Sequence, residues 1–119
     1  MKQFGFSWEE RLHTRKEFLA VYREGYRVFA PCFVVYFREN GRPRSRLGIA
    51  ASRKVGPPVV RNRIRRRLRE SFRVNKRGIL PCSDVVVNVR RGAAAATFQE
   101  LQGEFLRMVS RWKRRKQGS

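Results

Sequence analysis

The segment from residue 59 to residue 77 constrains the fold most, because it is apolar along one side and almost entirely arginine elsewhere. Its apolar residues recur at every fourth position, the spacing that brings side chains to one face of an α-helix. They are Val60, Ile64, Leu68 and Phe72. The pattern predicts a helix over residues 59–77 whose apolar stripe packs on a β-sheet.

Positive charge is concentrated in this helix and in the residues just before it. The chain has 29 Lys and Arg against 9 Asp and Glu, a net charge of +20. Between Arg53 and Arg77 lie eleven basic residues and one acid, so half of the net charge falls in 25 residues. Most of the basic residues are arginine, whose planar guanidinium binds phosphate oxygens in pairs. The distribution indicates a nucleic acid rather than a membrane surface as the partner.

The arginines of the segment also follow the helical repeat. Like charges four positions apart destabilise an isolated helix by roughly 0.2–0.5 kcal/mol per pair, so such a row is typical of a helix whose charge a polyanion screens. The start of the helix can also offer free backbone N–H groups to a phosphate. A merely solvated helix face is the alternative. The row consists of Arg61, Arg65, Arg69 and Arg73.

The other segments predict an α+β domain in the order α-β-β-β-α-β-α, with helices packed on one sheet. Two capping boxes, Thr14 with Glu17 and Thr97 with Glu100, mark helix starts. The predicted helices span residues 14–24, 59–77 and 97–112, and the predicted strands span residues 26–30, 32–38, 46–52 and 84–90.

The length of 119 residues is that of a single domain. We expect this domain, residues 1–119, to begin with an N-terminal arm, residues 1–10. Phe4, Phe6 and Trp8 of the arm either pack on the core or contact a partner. We expect the basic tail, residues 113–119, to be frayed.

Few residues are available for catalysis or metal binding. Cys32 and Cys82 are too few for a disulfide framework, and His13 is the only histidine, so neither a metal site nor a catalytic side chain is predicted. No apolar stretch approaches the roughly 20 residues that span a bilayer, and the N-terminus lacks the pattern of a signal peptide. We therefore expect a cytoplasmic protein without membrane contact.

Both faces of the predicted strand over residues 32–38 are apolar, and one of them carries Val34 and Tyr36. Helices could cover both faces, or one face could remain an open platform on which unpaired bases stack, at roughly 1–3 kcal/mol per base. Phe18 and Tyr22 on the first helix could line the same cleft. The residue pattern alone favours ordinary core packing for these aromatic side chains.

The segments Ser52–Gly56 and Val60–Arg69 closely resemble the protein subunit of bacterial ribonuclease P. The triplet Arg61-Asn62-Arg63 matches the signature that opens the basic helix in that family. The resemblance extends over roughly residues 10–112, and Pro57-Pro58 departs from the family pattern.

The resemblance implies a protein that assembles with a catalytic RNA, which removes the 5′ leader of precursor tRNA by Mg²⁺-assisted hydrolysis. The protein would be a subunit of this endoribonuclease and would contribute no catalytic side chain and no metal site of its own. It would need no obligate protein partner. The resemblance also implies a left-handed βαβ crossover formed by residues 46–52, 59–77 and 84–90, although such crossovers are right-handed in about 98% of cases.

The resemblance assigns two sets of residues and reverses the preference for core packing of the aromatic side chains. The RNA-binding set comprises Arg53, Lys54, Arg61, Asn62, Arg63, Arg65, Arg66 and Arg69, and the leader-binding cleft comprises Phe18, Tyr22, Val34 and Tyr36.

Two other classes share these features. A structural ribosomal protein or another RNA-binding module has the same charge and fold class but needs no cleft. A DNA-binding protein would read bases in the major groove with Asn62, but the sequence lacks the partner helix of a helix-turn-helix.

Overall fold

Three helices and four strands follow the predicted order α-β-β-β-α-β-α in the computed structural model, which describes residues 8–79 and 81–118. Short 3₁₀ turns lie between several of them. The elements are α1 (Arg15–Glu24), β1 (Tyr26–Phe29), β2 (Phe33–Glu39), β3 (Arg46–Ala50), α2 (Pro58–Asn75), β4 (Ser83–Val89) and α3 (Phe98–Gln117).

The four strands form one sheet in the order β1-β2-β4-β3. Strand β2 pairs antiparallel with β1 and with β4, whereas β3 pairs parallel with β4. Because α2 connects these two parallel neighbours, the predicted βαβ crossover is present. Its left hand stays a prediction from the family resemblance.

The alternation of side chains along the strands divides the core in two. On one face Phe33, Val35 and Phe37 of β2 are fully buried beneath α2 and α3. On the other face Tyr36 of β2 and Val86 of β4 pack against α1. The sheet is therefore covered by two helices on one side and by one shorter helix on the other.

Helix α2 packs through the predicted apolar stripe. Ile64, Leu68 and Phe72 are fully buried, and Val60 is half-buried at the edge of the same cluster. Burial of a side chain of this size contributes about 1.5–3 kcal/mol. This stripe holds α2 firmly enough to keep its arginines at the surface.

The basic tail does not fray from residue 113 as predicted. Helix α3 continues to Gln117, and two contacts hold its last turns on the sheet. The Arg115 guanidinium lies 4.2 Å from the centre of the Tyr26 ring, and Lys116 Nζ lies 3.0 Å from Glu39 Oε1. Contacts with β1 and β2 therefore extend α3, and the local sequence pattern of the tail does not predict them.

The end of the N-terminal arm and the two residues that follow it are bound to the rest of the domain. Arg11 pairs with Leu47 of β3, and the Leu12 N–H donates to the Leu47 carbonyl at 3.0 Å. Glu10, which is buried, forms a 2.6 Å ion pair with Lys76 just after α2. Residues 1–7, including Phe4 and Phe6, lie outside the described residues, so the prediction for them is untested.

Candidate nucleic-acid interface

A tight turn leads from β3 into α2. Arg53 and Lys54 are exposed in the 3₁₀ turn Arg53–Val55, which Ser52 caps by accepting a 3.3 Å hydrogen bond from the Lys54 N–H. Gly56 follows with a φ of +152°, a conformation that side chains disfavour. The turn places both cations directly before the first residues of α2.

The first turn of α2 offers few N–H groups to a phosphate, contrary to the expectation from helix starts. Pro57 and Pro58 have no N–H, and the Val60 and Arg61 N–H groups both donate to the Pro57 carbonyl, at 3.0 and 3.1 Å. Any anion bound here must therefore be held mainly by side chains.

The arginines of α2 form one face opposite the buried stripe, and this face has two flanks that differ in their surroundings. At 3.6 residues per turn, with Leu68 on the core, Arg65 and Arg69 fall on one flank and Arg63 falls on the other. Asn62 and Arg66 are exposed on the side that faces away from the sheet.

The flank of Arg69 meets Arg11, the residue just after the N-terminal arm, beside the edge of the sheet. Arg11, Arg69, Phe18 and Gly48 line one small pocket of about 120 Å³. Burial, together with the positive charges of Arg11 and Arg65, lowers the pKa of Arg69. Guanidinium groups that lie this close together can bind one phosphate jointly. Arg11, which was not among the predicted site residues, therefore belongs to this site.

The opposite flank contacts the protein itself. Arg63 Nη2 donates to the Ala94 carbonyl at 3.4 Å, and its Nε is buried without a hydrogen-bond partner among the described residues. Arg61 also makes a protein contact, a 3.1 Å hydrogen bond from Nε to the Gly56 carbonyl. These two arginines of the implied RNA-binding set therefore also stabilise the turns around the start of α2.

The predicted cleft lies between α1 and the sheet. Phe18 packs directly on Gly48 of β3, where an added Cβ would lie 2.6 Å from the phenyl ring. Phe18, Tyr22 and Tyr36 are half-buried around a fully buried centre that includes Val86. The structure thus brings the aromatic residues together and leaves part of each ring accessible.

A polar contact lies among these rings. The Tyr22 hydroxyl donates to Asn88 Oδ1 at 2.7 Å, and the rings of Tyr22 and Tyr36 meet edge to face at 4.9 Å. Burial raises the pKa of Tyr22. Val34 is half-buried and lies opposite Asn88 in the β2–β4 pair. Asn88 was missed by sequence reasoning, although it is the one polar residue within a run of valines.

Two side chains that catalysis could use, Cys32 and His13, have different surroundings. Cys32 is buried and unpaired, and burial followed by the nearby Glu104 raises the pKa of its thiol to about 11. His13 is exposed and stacks on Trp8, with ring centres 3.5 Å apart. Within residues 8–79 and 81–118, no group of three or more His, Cys, Asp or Glu could hold a metal ion, and no helix could cross a membrane.

Fold and surface define a class: a small α+β protein that carries a basic helix on one side of its sheet and an aromatic cleft on the other. Comparison with known families places it further, because the model of the family Ribonuclease P matches residues 6–113. The chain belongs to the ribonuclease P family, as a protein component of this tRNA-processing ribonucleoprotein endoribonuclease.

Relatives and solved structures agree with this assignment. The chain is 38% identical over 102 residues to the ribonuclease P protein component of Desulfosudis oleivorans. These residues make up 86% of this chain and 84% of the relative. It is 40% identical over 96 residues to that of Thermotoga maritima, 81% of each chain. Among solved structures, the chain is similar to a Staphylococcus aureus RNase P protein mutant with defective mRNA degradation activity, at a TM-score of 0.80 and a sequence identity of 34%. The match covers 88% of this chain and 89% of that one. The structure of the Thermotoga maritima RNase P protein is similar at a TM-score of 0.76 and a sequence identity of 37%. The match covers 86% of this chain and 96% of that one.

Proposed function

We propose that the chain binds the RNA subunit of ribonuclease P through α2 and holds the single-stranded 5′ leader of precursor tRNA in the cleft beneath α1. One observation carries this proposal: Phe18 of the cleft and Arg69 of α2 line the same pocket. A strand that leaves the cleft at this point meets a cluster of arginines.

The RNA subunit is bound by charge. Asn62 and Arg66 are exposed on α2, and Arg53 and Lys54 extend the same basic surface to the turn before it. Each phosphate that these side chains neutralise releases counterions. The slope of log K against log salt concentration therefore becomes more negative by about 0.7–0.9 per phosphate. The protein thereby reduces repulsion between two RNA molecules, and we expect it to lower the Mg²⁺ concentration that cleavage requires.

The leader is bound by stacking. The accessible parts of the Phe18, Tyr22 and Tyr36 rings offer apolar surfaces to unpaired bases, and such stacking tolerates many base sequences. The edge-to-face contact and the hydrogen bond to Asn88 hold the Tyr22 ring in place. The cleft therefore suits a substrate segment that differs from one precursor tRNA to another.

The chemistry of cleavage is assigned to the RNA. The carboxylates of Glu17 in α1 and Asp84 in β4 both pair with Arg46, at 2.9 and 2.7 Å, so they do not form a set of free ligands for Mg²⁺. We assign the Mg²⁺ of the reaction to the RNA subunit and no step of hydrolysis to this chain. Because both cysteines are unpaired, as suits a reducing compartment, we place the protein in the cytoplasm.

The test is cleavage of a precursor tRNA by a bacterial ribonuclease P RNA at low Mg²⁺, with and without this protein. Stimulation that increases with leader length is expected, because a longer leader fills more of the cleft. A tRNA with a single-nucleotide leader is the control. Stimulation that is independent of leader length would contradict leader binding, and absence of stimulation by folded protein would contradict the whole proposal.

A further inference from the structure

A second basic surface lies at the C-terminal end of α3, where the helix extends beyond its last buried residue, Trp112. Five of the six residues from 111 to 116 are Lys or Arg. An open groove of about 460 Å³ separates these turns from β1. We call it the α3 groove; its lining residues are Tyr26, Arg111, Arg114, Arg115 and Gly118.

Two guanidinium groups of the α3 groove, those of Arg111 and Arg114, are exposed. Two carboxylates that lie close to Tyr26 are already paired, Glu24 with Arg38 at 2.6 Å and Glu39 with Lys116 at 3.0 Å. In the described part of the chain, no carboxylate forms an ion pair with Arg111 or Arg114. The groove therefore presents guanidinium groups to whatever approaches it.

The helix dipole accounts for Arg114 and Arg115, which lie in the last turn of α3, but not for Arg111. Cations are stabilised in the last turn of a helix, but Arg111 lies before the last turn of α3. It also lies three and four positions from Arg114 and Arg115, spacings at which like charges repel. A bound polyanion reduces this repulsion more than screening by dissolved salt does.

Phosphates fit the groove better than bases do. The Tyr26 ring already contacts the Arg115 guanidinium at 4.2 Å and stacks on Trp112 with ring centres 5.9 Å apart. An aromatic ring that is engaged in this way offers little surface for stacking. The groove is thus suited to the backbone of helical RNA, whose phosphates are exposed and whose bases are paired.

The α3 groove lies far from the start of α2. Both helices begin at the same end of the sheet, where Arg63 contacts Ala94, and α3 ends near the start of β4, where Trp112 donates to Ser83 Oγ at 3.0 Å. At 1.5 Å per residue, the groove is displaced from the first turns of α2 by about 20 Å along the helices. It also lies beside β1, at the sheet edge opposite β3. One phosphate cannot contact both surfaces.

We infer that the α3 groove binds the phosphate backbone of a second helical segment of the RNA subunit, so that the protein bridges two segments of one RNA. This inference rests on the proposed function, because it requires that the RNA subunit binds the chain. It goes beyond that function by assigning a separate contact to Arg111 and Arg114.

The double variant Arg111→Gln/Arg114→Gln tests the inference, with Arg42→Gln/Arg107→Gln as a control that removes two exposed charges outside the groove. Gln and Arg have similar helix propensities, so both variants are expected to fold. Affinity of the full-length proteins for a bacterial ribonuclease P RNA is measured over a series of salt concentrations. The groove variant is expected to bind about tenfold more weakly, with a salt slope shallower by about 0.9 per lost contact.

The outcomes separate the two proposals. If the wild-type chain does not bind the RNA subunit, the proposed function fails and the inference fails with it. If the wild-type chain binds but the groove variant equals the control in affinity and slope, only the inference is overturned. A groove variant that assembles normally but binds precursor tRNA more weakly would overturn the RNA subunit as the occupant.

A second readout does not depend on affinity. Photo-crosslinkers placed separately at positions 62 and 114 are expected to react with different segments of the RNA subunit, because the two positions lie at opposite ends of the helical layer. Crosslinks from both positions to the same nucleotides would overturn the bridging arrangement.

Discussion

At the scale of single residues, the cleft depends on a close contact between α1 and β3. An added Cβ at Gly48 would lie 2.6 Å from Cζ of Phe18 and 3.1 Å from the Leu12 side chain, so any larger residue would force the Phe18 ring to move. Close packing against Gly48 therefore fixes the position of the half-buried Phe18 ring. The cleft is consequently sensitive to changes in side-chain volume at its floor.

Replacement of Gly48 by Ala is expected to destabilise the protein by about 1–3 kcal/mol, the usual cost of overpacking. Urea denaturation measures the change in the free energy of unfolding. In a Phe18→Ala background the same replacement should cost much less, because the clashing ring is gone. An equal cost in both backgrounds would contradict the contact.

Removal of one aromatic ring from the cleft is expected to weaken leader binding. Tyr36→Ala should reduce the affinity of the holoenzyme for precursor tRNA by about fivefold or more, since stacking contributes roughly 1–3 kcal/mol per base. Affinity for mature tRNA should not change. Phe29→Ala, which removes an exposed ring of β1 outside the cleft, is the control. An equal loss for both tRNAs would argue against leader binding by Tyr36.

At the scale of elements, α2 combines a buried stripe with arginines that differ in their surroundings. One flank, with Arg65 and Arg69, adjoins Arg11 and the cleft, whereas Arg63 on the other flank reaches Ala94. Arginines that look equivalent in the sequence therefore have different contacts, and some of them stabilise the fold. Substitutions on the cleft-side flank are the cleaner test of RNA contact.

The variant Arg65→Glu/Arg69→Glu is expected to weaken assembly with the RNA subunit by about tenfold or more, because two phosphate contacts are replaced by repulsion. Arg42→Glu/Arg107→Glu, which carries the same change of charge at exposed positions outside α2, should bind nearly normally. Filter binding with full-length proteins measures the difference. Intact assembly of the first variant would remove this flank from the interface.

An ion-pair network fixes α1 to the sheet. Arg46 of β3 binds Glu17 at the start of α1 and Asp84 of β4, at 2.9 and 2.7 Å. Burial by itself raises the pKa of Glu17, but hydrogen bonds from the His13 and Thr14 N–H groups, together with Arg46, outweigh it and lower the pKa from 4.5 to about 2. The ionised carboxylate therefore stabilises the folded state.

The stability of the protein is expected to fall in acid because of this group. A carboxylate whose pKa is lowered on folding contributes fully above its unfolded value of 4.5, and the contribution is lost as the pH falls towards 2. Glu17→Gln should therefore reduce stability at pH 7 by roughly 0.5–1 kcal/mol and lose less stability between pH 4.5 and 2 than the wild-type protein does. Urea denaturation across this range checks both points, and parallel curves for the two proteins would contradict them.

Local patterns were predictable from the sequence, and long-range contacts were not. Both capping boxes are present as predicted, because each is formed within four residues. By contrast, the hydrogen bond of Tyr22 joins residues 66 positions apart, and Arg63 meets a turn 31 positions away. The tail of α3 is ordered by Tyr26 for the same reason. Such long-range pairs depend on how helices and strands pack on one another. The spacing of residues within one segment does not predict that packing.

At the scale of the whole molecule, a net charge of +20 on one small domain makes RNA binding strongly dependent on salt. With about six phosphate contacts, log K for the RNA subunit is expected to fall by roughly 4–5 per unit of log salt concentration. Titration of the wild-type protein at several salt concentrations measures the slope. A slope near zero would contradict binding through phosphates.

The position of β4 in the sheet has a consequence for the synthesis of the protein. Strand β4 lies between β2 and β3, although it follows both in the chain. A nascent chain that has not reached residues 83–89 therefore lacks the strand that joins the two halves of the sheet. The basic segment of α2 leaves the ribosome before the surface on which it packs can form. The cleft, whose buried centre includes Val86 of β4, is thus completed only late in translation, when the central strand has been made.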